Sequence, residues 1–289
     1  MESVINMDYT NIEQRGLDIV LTDIKNFILP QVLDNGQCFR WSGDNDSYIG
    51  IAYGRRLEVH LKNDELILKS VSRNEFESIW RDYFDLGRDY GKLRQLYAID
   101  DTLNKAMTFS PGLRLMCQDP WETLITFILS QNSNIPRIKG MVARLCENFG
   151  QVLQWGEKDS DRAFTFPSPE SIASLSTDDL VPIRSGYRAE YIIDAARRTV
   201  DGRLDLKELQ NMPSEDIRFA LMEIYGVGPK VADCVLLYGF GRVERYPLDV
   251  WMKRVMASYY PNGFPEELMD TAGIVQQFLF HYIRTHTDI

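Results

Sequence analysis

The chain is short of paired cysteines, of long apolar runs and of positive charge, and each shortage excludes something. Cys38, Cys117, Cys146 and Cys234 are scattered, with no CxxC pair and no metal-ligand spacing. They read as reduced thiols, and no cluster of four close cysteines is present to hold an iron–sulfur centre. No uncharged stretch is long enough to cross a membrane as a helix. The opening MESVINMDYT carries neither a basic segment nor a small-residue cleavage site, so a cytoplasmic location is expected. There is no repeat of fixed period, no low-complexity segment and no G-x-x-x-x-G-K-[ST] loop. With 32 Lys and Arg against 42 Asp and Glu, the net charge is −10. That balance disfavours a general nucleic-acid coat, because phosphate neutralisation supplies much of such binding. Arg184, Arg188, Arg197 and Arg198 nevertheless crowd into IRSGYRAEYIIDAARR, so one local anion-binding face remains open.

What is present is an ordinary apolar content, 44% over 289 residues, enough for two domains or one large one. Between about residues 36 and 70, QCFRW, YIGIAYG, RLEVHLK and ELILKSV alternate polar and apolar residues and are broken by SGDNDS and KNDE. Short strands in close succession predict an antiparallel sheet. From about residue 74 the period lengthens. NEFESIWRDYFDLG, with Asn74 as N-cap, opens a series of helices. WETLITFILSQ, IPRIKGMVARLCENFG, YRAEYIIDAARRTVDG, SEDIRFALMEIYG, PKVADCVLLYGFG, PLDVWMKRVMASYY and MDTAGIVQQFLFHYIRTH follow. The expected class is α+β, with an N-terminal antiparallel sheet domain over 1–110 and a mainly helical domain over 111–289.

Chemistry concentrates in YGVGPKVADC, residues 225–234. Two helices joined by a glycine turn point backbone N–H groups outward, a small nest that suits a phosphate. Pro229 fits the first position of the second helix. By itself this turn is most simply a helical hairpin with a glycine cap. Lys230 is the unusual residue. A helix start carries partial positive charge, which opposes an ammonium there, and an amine nucleophile has to be uncharged. Most lysines are solvated surface groups, so a second feature is needed. Asp249, in YPLDVWMKRVM, lies 19 residues later (249 − 230 = 19), on a connection long enough to fold back toward Lys230. A carboxylate there could hold the amine, take its proton or stabilise a cation, although as a lone residue Asp249 is more simply an N-cap.

Hairpin, lysine and aspartate at this spacing resemble the helix-hairpin-helix–GPD superfamily of DNA glycosylases and AP lyases. The likeness is greatest to the 8-oxoguanine DNA glycosylase family of eukaryotic type and runs from DNGQCFRW to VQQFLF. It implies that Lys230 attacks the deoxyribose C1′ and passes through a Schiff base that can β-eliminate, with Asp249 assisting. It implies phosphate contacts at Gly226 and Gly228. It also implies a structural K+ or Na+ on the carbonyls of Met222, Ile224 and Val227, with no cofactor otherwise required. For the base it implies the Gly36 carbonyl on the N7–H that 8-oxoguanine has and guanine lacks. Gln276 would take the Watson–Crick edge, with Phe280 and Cys234 on the two ring faces. Asn132 would fill the gap left by the flipped nucleotide and Arg137 would read the orphaned cytosine. Tyr187 would wedge the partner strand with Arg188 beside it. The implied partner is double-stranded DNA bearing 8-oxoguanine opposite cytosine, bound by a monomer that in a bacterium would associate with the nucleoid. Taken singly, Phe280 reads as core, Cys234 as a small buried hydrophobe, SQNSNIP as a helix end and Tyr187 as a helix-start aromatic.

In two places the chain departs from the pattern. The family's histidine two positions after the aspartate is here Trp251. The second arginine it uses on the orphaned cytosine, just after the base-binding helix, is here Thr285, which puts strict selectivity for a cytosine partner in question while Arg137 argues that some remains. Three other readings stay open at this level: a related glycosylase of the endonuclease III or adenine-glycosylase type, a hairpin module that binds DNA without chemistry, and an unrelated phosphate-binding helical protein.

Overall fold

A computed structural model describes residues 8–156, 158 and 162–286. The fold is α+β, as expected, and its Cα atoms gather into two compact units. One comprises the described residues of Met1–Gly50, Leu57–Cys117 and Val243–Ile289; the other comprises Ile51–Arg56 and the described part of Gln118–Arg242.

The first unit is built on a six-stranded sheet of order β1-β2-β6-β5-β4-β3, in which β2 runs antiparallel to β1 and β6, β5 to β6, and β3 to β4. Its strands are β1 (Asn11–Arg15), β2 (Asp18–Thr22), β3 (Trp41–Gly43), β4 (Ser47–Ala52), β5 (Arg55–Lys62) and β6 (Glu65–Leu68). Alternation in β5 and β6 buries Leu57, Val59, Leu66 and Leu68 completely. β1 and β2 are additional to the strands expected from the sequence. β1, NIEQR, is an edge strand with no buried residue, so its apolar alternation is too weak to register. Most of QCFRW, in turn, is not strand; only Trp41 joins β3. Trp41 faces Gly50 across the ladder, and a Cβ at Gly50 would lie 2.2 Å from the indole. The glycine therefore makes room for the ring, which donates from Nε1 to the Tyr83 hydroxyl at 2.7 Å.

The helix after the sheet is capped by Ser72, whose hydroxyl accepts the Glu75 N–H, rather than by Asn74. Over Phe76–Trp80 it widens to a π-helical turn. Helices Tyr90–Tyr97 and Asp101–Phe109 follow, and the chain returns to this unit after Val243 with Val250–Tyr259 and Ala272–Ile283. Side-chain bonds secure the return: Tyr97 to Thr271 at 2.7 Å, Tyr260 to Asp100 at 2.8 Å, and Ser110 to His281 at 2.6 Å. These bonds explain why the division in space differs from a simple division along the chain.

His281 also carries a pH dependence. Burial first, and then the nearby Arg284 guanidinium, hold its imidazolium below the ordinary histidine value of 6.5. The folded state therefore binds this proton less readily than the unfolded chain. The stabilisation is fully present above pH 6.5 and is lost as pH falls through 6.5 toward the lower folded value. Urea unfolding from pH 7.5 to 5 is expected to show His281→Gln losing less stability on acidification than the native chain.

The second unit is helical apart from a two-stranded hairpin, β7 (Val152–Gln154) with β8 (Arg162–Phe164). Pro120–Ser130 is its central helix, started by Asp119 and buried over Thr123–Leu129. Ile135–Phe149 is capped by Asn134, and Arg188–Val200, Ser214–Met222 and Pro229–Tyr238 complete the frame. Ser214 is the first residue inside its helix, after an N-cap at Pro213.

Candidate active site

In the second unit, Ser214–Met222 and Pro229–Tyr238 form the two arms of the expected hairpin. Gly226 sits in its turn at φ +78, a conformation that favours glycine, and a Cβ there would lie 2.3 Å from the Tyr191 ring. Gly228 is the N-cap of the second arm and gives it no side-chain cap, so the helix start stays open. Among the described residues no acceptor is recorded for the N–H of Gly226 or Gly228. Lys230 is in the first turn of this helix, partly buried, with Nζ 5.3 Å from the centroid of the Phe127 ring. Cys234, one turn on, is fully buried. Gly226→Ala combines a left-handed strain of ~1–2 kcal/mol with displacement of Tyr191. It is expected to lower stability by that amount or more and to weaken binding of damaged and undamaged duplexes alike, as read by urea unfolding and fluorescence anisotropy.

The loop after the central helix lies against this hairpin. The Gln131 side-chain amide donates to the Gly226 carbonyl at 3.2 Å. Asn132, exposed and at φ +46, donates to the Tyr187 hydroxyl at 3.2 Å. Tyr187 is 48% exposed and packs edge-on against Tyr191, which does the same with Tyr225, 59% exposed. Asp194 accepts the Tyr225 N–H at 2.8 Å and pairs with Arg198 at 2.9 Å, fixing the turn. Arg137 is exposed, and among the described residues no partner is recorded for its guanidinium.

Arg188 behaves differently from its neighbours. It is 2% exposed, and its guanidinium donates to the carbonyls of Gln131, Asn132 and Ser185. With its donors so engaged, it holds the Asn132 loop in shape while lying beside Tyr187, its guanidinium 4.6 Å from that ring's centroid. Gln131 and Tyr191 carried no signal of their own in the sequence. Their importance lies in contacts across 95 residues for Gln131 and in space left by a glycine for Tyr191.

In the first unit, Gly36 has φ +94 in a tightly held loop. Asn35 is buried, its amide donates to the Gln31 carbonyl, and its Oδ1 accepts the Gln37 N–H. The Gln37 amide bridges the carbonyls of Val32 and Arg114 and accepts the Met116 N–H. The Gly36 carbonyl itself receives no recorded donor among the described residues. Gln276 and Phe280 share a face of Ala272–Ile283. Gln276 is 2% exposed and its Oε1 has no partner among the described residues. A buried acceptor left so costs about 1–3 kcal/mol, which a ligand's donor would relieve. Phe280 is partly exposed, with the Arg284 guanidinium 5.3 Å from its ring centroid. Asp249 caps Val250–Tyr259 by accepting the Met252 N–H on Oδ1 at 2.8 Å, which leaves Oδ2. The Arg254 guanidinium lies 5.2 Å from the Trp251 ring centroid.

Comparison with known proteins agrees with these features. Residues 19–124 match the N-terminal domain of 8-oxoguanine DNA glycosylase, and residues 125–272 match HhH-GPD superfamily base excision DNA repair proteins. The chain is 35% identical over 257 residues to the N-glycosylase/DNA lyase of Saccharomyces cerevisiae, covering 80% of this chain and 68% of that one. Among solved structures, MBOgg1 in complex with a low-affinity DNA ligand is 40% identical with a TM-score of 0.90, over 98% of this chain and 100% of that one. The Clostridium acetobutylicum 8-oxoguanine glycosylase/lyase, bound to DNA with cytosine opposite 8-oxoguanine, is 31% identical with a TM-score of 0.89, over 97% and 100%. The chain therefore belongs to the HhH-GPD superfamily of base excision DNA repair proteins, in the family that carries the 8-oxoguanine DNA glycosylase N-terminal domain.

Proposed function

We propose that the chain is a bifunctional DNA glycosylase and lyase that removes 8-oxoguanine from duplex DNA. The carrying observation is Lys230 at the uncapped start of the hairpin's second helix, beside the positive-φ turn at Gly226. A binding module needs the turn but not the amine.

The Lys230 amine, once neutral, attacks C1′. The C1′–N9 bond breaks, its electrons leave with the base, and the base takes up a proton. The Asp249 carboxylate stabilises positive charge on the sugar and accepts the proton that the attacking nitrogen loses. Opening of the sugar ring leaves an imine between Nζ and C1′. Loss of a C2′ proton then expels the 3′ phosphate by β-elimination. Gly36 accepts the N7–H of the lesion, the Gln276 Oε1 accepts from its Watson–Crick edge, and Phe280 and Cys234 cover its ring. Gly226 and Gly228 hold a phosphate through their N–H groups. Asn132 fills the vacated stack with Tyr187 as wedge, and Arg137 contacts the cytosine opposite. Arg254, carried on Trp251, supplies the positive charge that the family's histidine would bring to a phosphate.

Neutral carbonyls are a donor set for a hard cation, and those of Met222, Ile224 and Val227 would hold K+ or Na+. Ile224 already accepts the Val227 N–H at 3.0 Å, so it offers its remaining lone pair. A cation there would add positive charge to the phosphate contact.

The test is chromatographic detection of the free base from duplexes containing 8-oxoguanine or guanine opposite cytosine. Release of 8-oxoguanine alone is expected; release of neither refutes the reading and leaves a binding module.

A further inference from the structure

Arg284 lies at the C-terminal end of the helix that carries Gln276 and Phe280, and it touches two parts of the first unit's site. Its Nη1 donates to the Asn35 carbonyl at 3.0 Å. Its guanidinium lies 5.3 Å from the Phe280 ring centroid. It also attracts the Asp249 carboxylate, which partly offsets the effect of burial on its own charge. The Asn35 carbonyl belongs to the peptide that leads into Gly36, which sits at φ +94 and, lacking a Cβ, is free to turn unless its neighbours hold it. One planar, charged group thus joins the loop to the stacking ring, which a lysine could not do with the same geometry.

We infer that Arg284 is a specificity-determining positioning residue, which fixes the Gly36 carbonyl relative to Phe280 so that a purine with hydrogen on N7 is accepted and one with a lone pair there is rejected. The inference rests on the proposed base-recognition role of Gly36. A carbonyl distinguishes a donor from an acceptor only while it cannot turn away. Without the Arg284 bond the peptide before Gly36 can rotate, the Gly36 carbonyl that follows it turns away from the guanine N7 lone pair, and the contact with N7–H lengthens. No local pattern signals this, because Arg284 and Asn35 are 249 positions apart.

The experiment measures equilibrium binding of duplexes carrying 2′-fluorinated 8-oxoguanine or guanine opposite cytosine, whose glycosidic bonds resist cleavage. Arg284→Met and Arg284→Lys are compared with the native chain, alongside thermal unfolding and single-turnover excision of the unmodified lesion. The expected result for Arg284→Met is a roughly ten- to hundredfold loss in the preference for 8-oxoguanine over guanine, the worth of one charge-assisted hydrogen bond. Arg284→Lys, which keeps a charge and a donor, is expected to lose less. An unchanged preference in both variants overturns the inference and leaves the glycosylase reading intact. Equal weakening on both bases, with the preference kept, gives Arg284 a merely structural role and also overturns it. If the native chain excises no 8-oxoguanine at all, the functional reading fails first and the inference falls with it.

Discussion

Lys230→Gln is expected to abolish base excision and strand nicking while leaving a folded protein that still binds DNA. Glutamine is close in length to lysine and suits a helix, so Pro229–Tyr238 should persist with its buried face of Val231, Ala232, Cys234 and Val235. The folded state loses only the contact of Nζ with the Phe127 ring, worth about 0.5–1 kcal/mol at a partly exposed site. What disappears is the nucleophile. A neutral amide cannot form an imine with C1′, and removing a covalent nucleophile elsewhere costs on the order of 10⁴-fold or more in rate. Single-turnover excision from a duplex with 8-oxoguanine opposite cytosine should therefore fall to background. Affinity for the same duplex, read by anisotropy, should change by no more than about tenfold, since one cationic group among several contacts is lost. A variant that still releases base at a comparable rate would move the nucleophile to water or another residue.

The second large effect concerns the first unit. Arg114 is completely buried and pairs with Asp8 at 2.8 Å. It donates to the carbonyls of Asp85 and Arg88 at 2.7 Å each and stacks on Tyr90 with 4.1 Å to the centroid. Asp8 in turn accepts from Asn26 and from the N–H groups of Tyr90 and Gly91. Arg114→Leu would leave a buried carboxylate without its counter-ion and two carbonyls without their donor. Breaking one side of such a pair costs about 3–5 kcal/mol. The urea midpoint should drop accordingly, and adding Asp8→Asn should recover part of the loss because an amide carries no charge to strand. The Arg114 carbonyl also anchors Gln37, so the variant should disturb the Gly36 loop beyond its effect on stability.

These examples show what could be read along the chain and what could not. The helices around the hairpin were legible because their boundaries are local: Pro229 at a first turn, Asp249 at a cap, glycines at the turn. Lys230 stood out for the same reason, as a charge where local electrostatics disfavour one. β1 was not legible because an edge strand needs no apolar face, and the Ser72 cap was missed for Asn74 two positions on. Arg114 sits in PGLRLM, which reads as a loop; its burial depends on a partner 106 positions away. Arg188 lies beside Tyr187, as the resemblance implies, with its guanidinium 4.6 Å from that ring's centroid. Its inward turn toward Gln131 and Asn132 depends on tertiary contacts that no local pattern encodes. The same holds for Arg284, and for the buried, unpartnered oxygen that distinguishes Gln276 from a core glutamine.

The most direct measurement is trapping with borohydride. The native chain is mixed with a duplex containing one 8-oxoguanine opposite cytosine, and with an otherwise identical undamaged duplex, in the presence of the reductant. A glycosylase that works through Lys230 forms an imine that reduction makes permanent. The account predicts a covalent protein–DNA product with the damaged duplex alone and none with Lys230→Gln. Excision of the lesion without any trapped product would contradict the amine mechanism, and an equal yield from Lys230→Gln would contradict the assignment of Lys230.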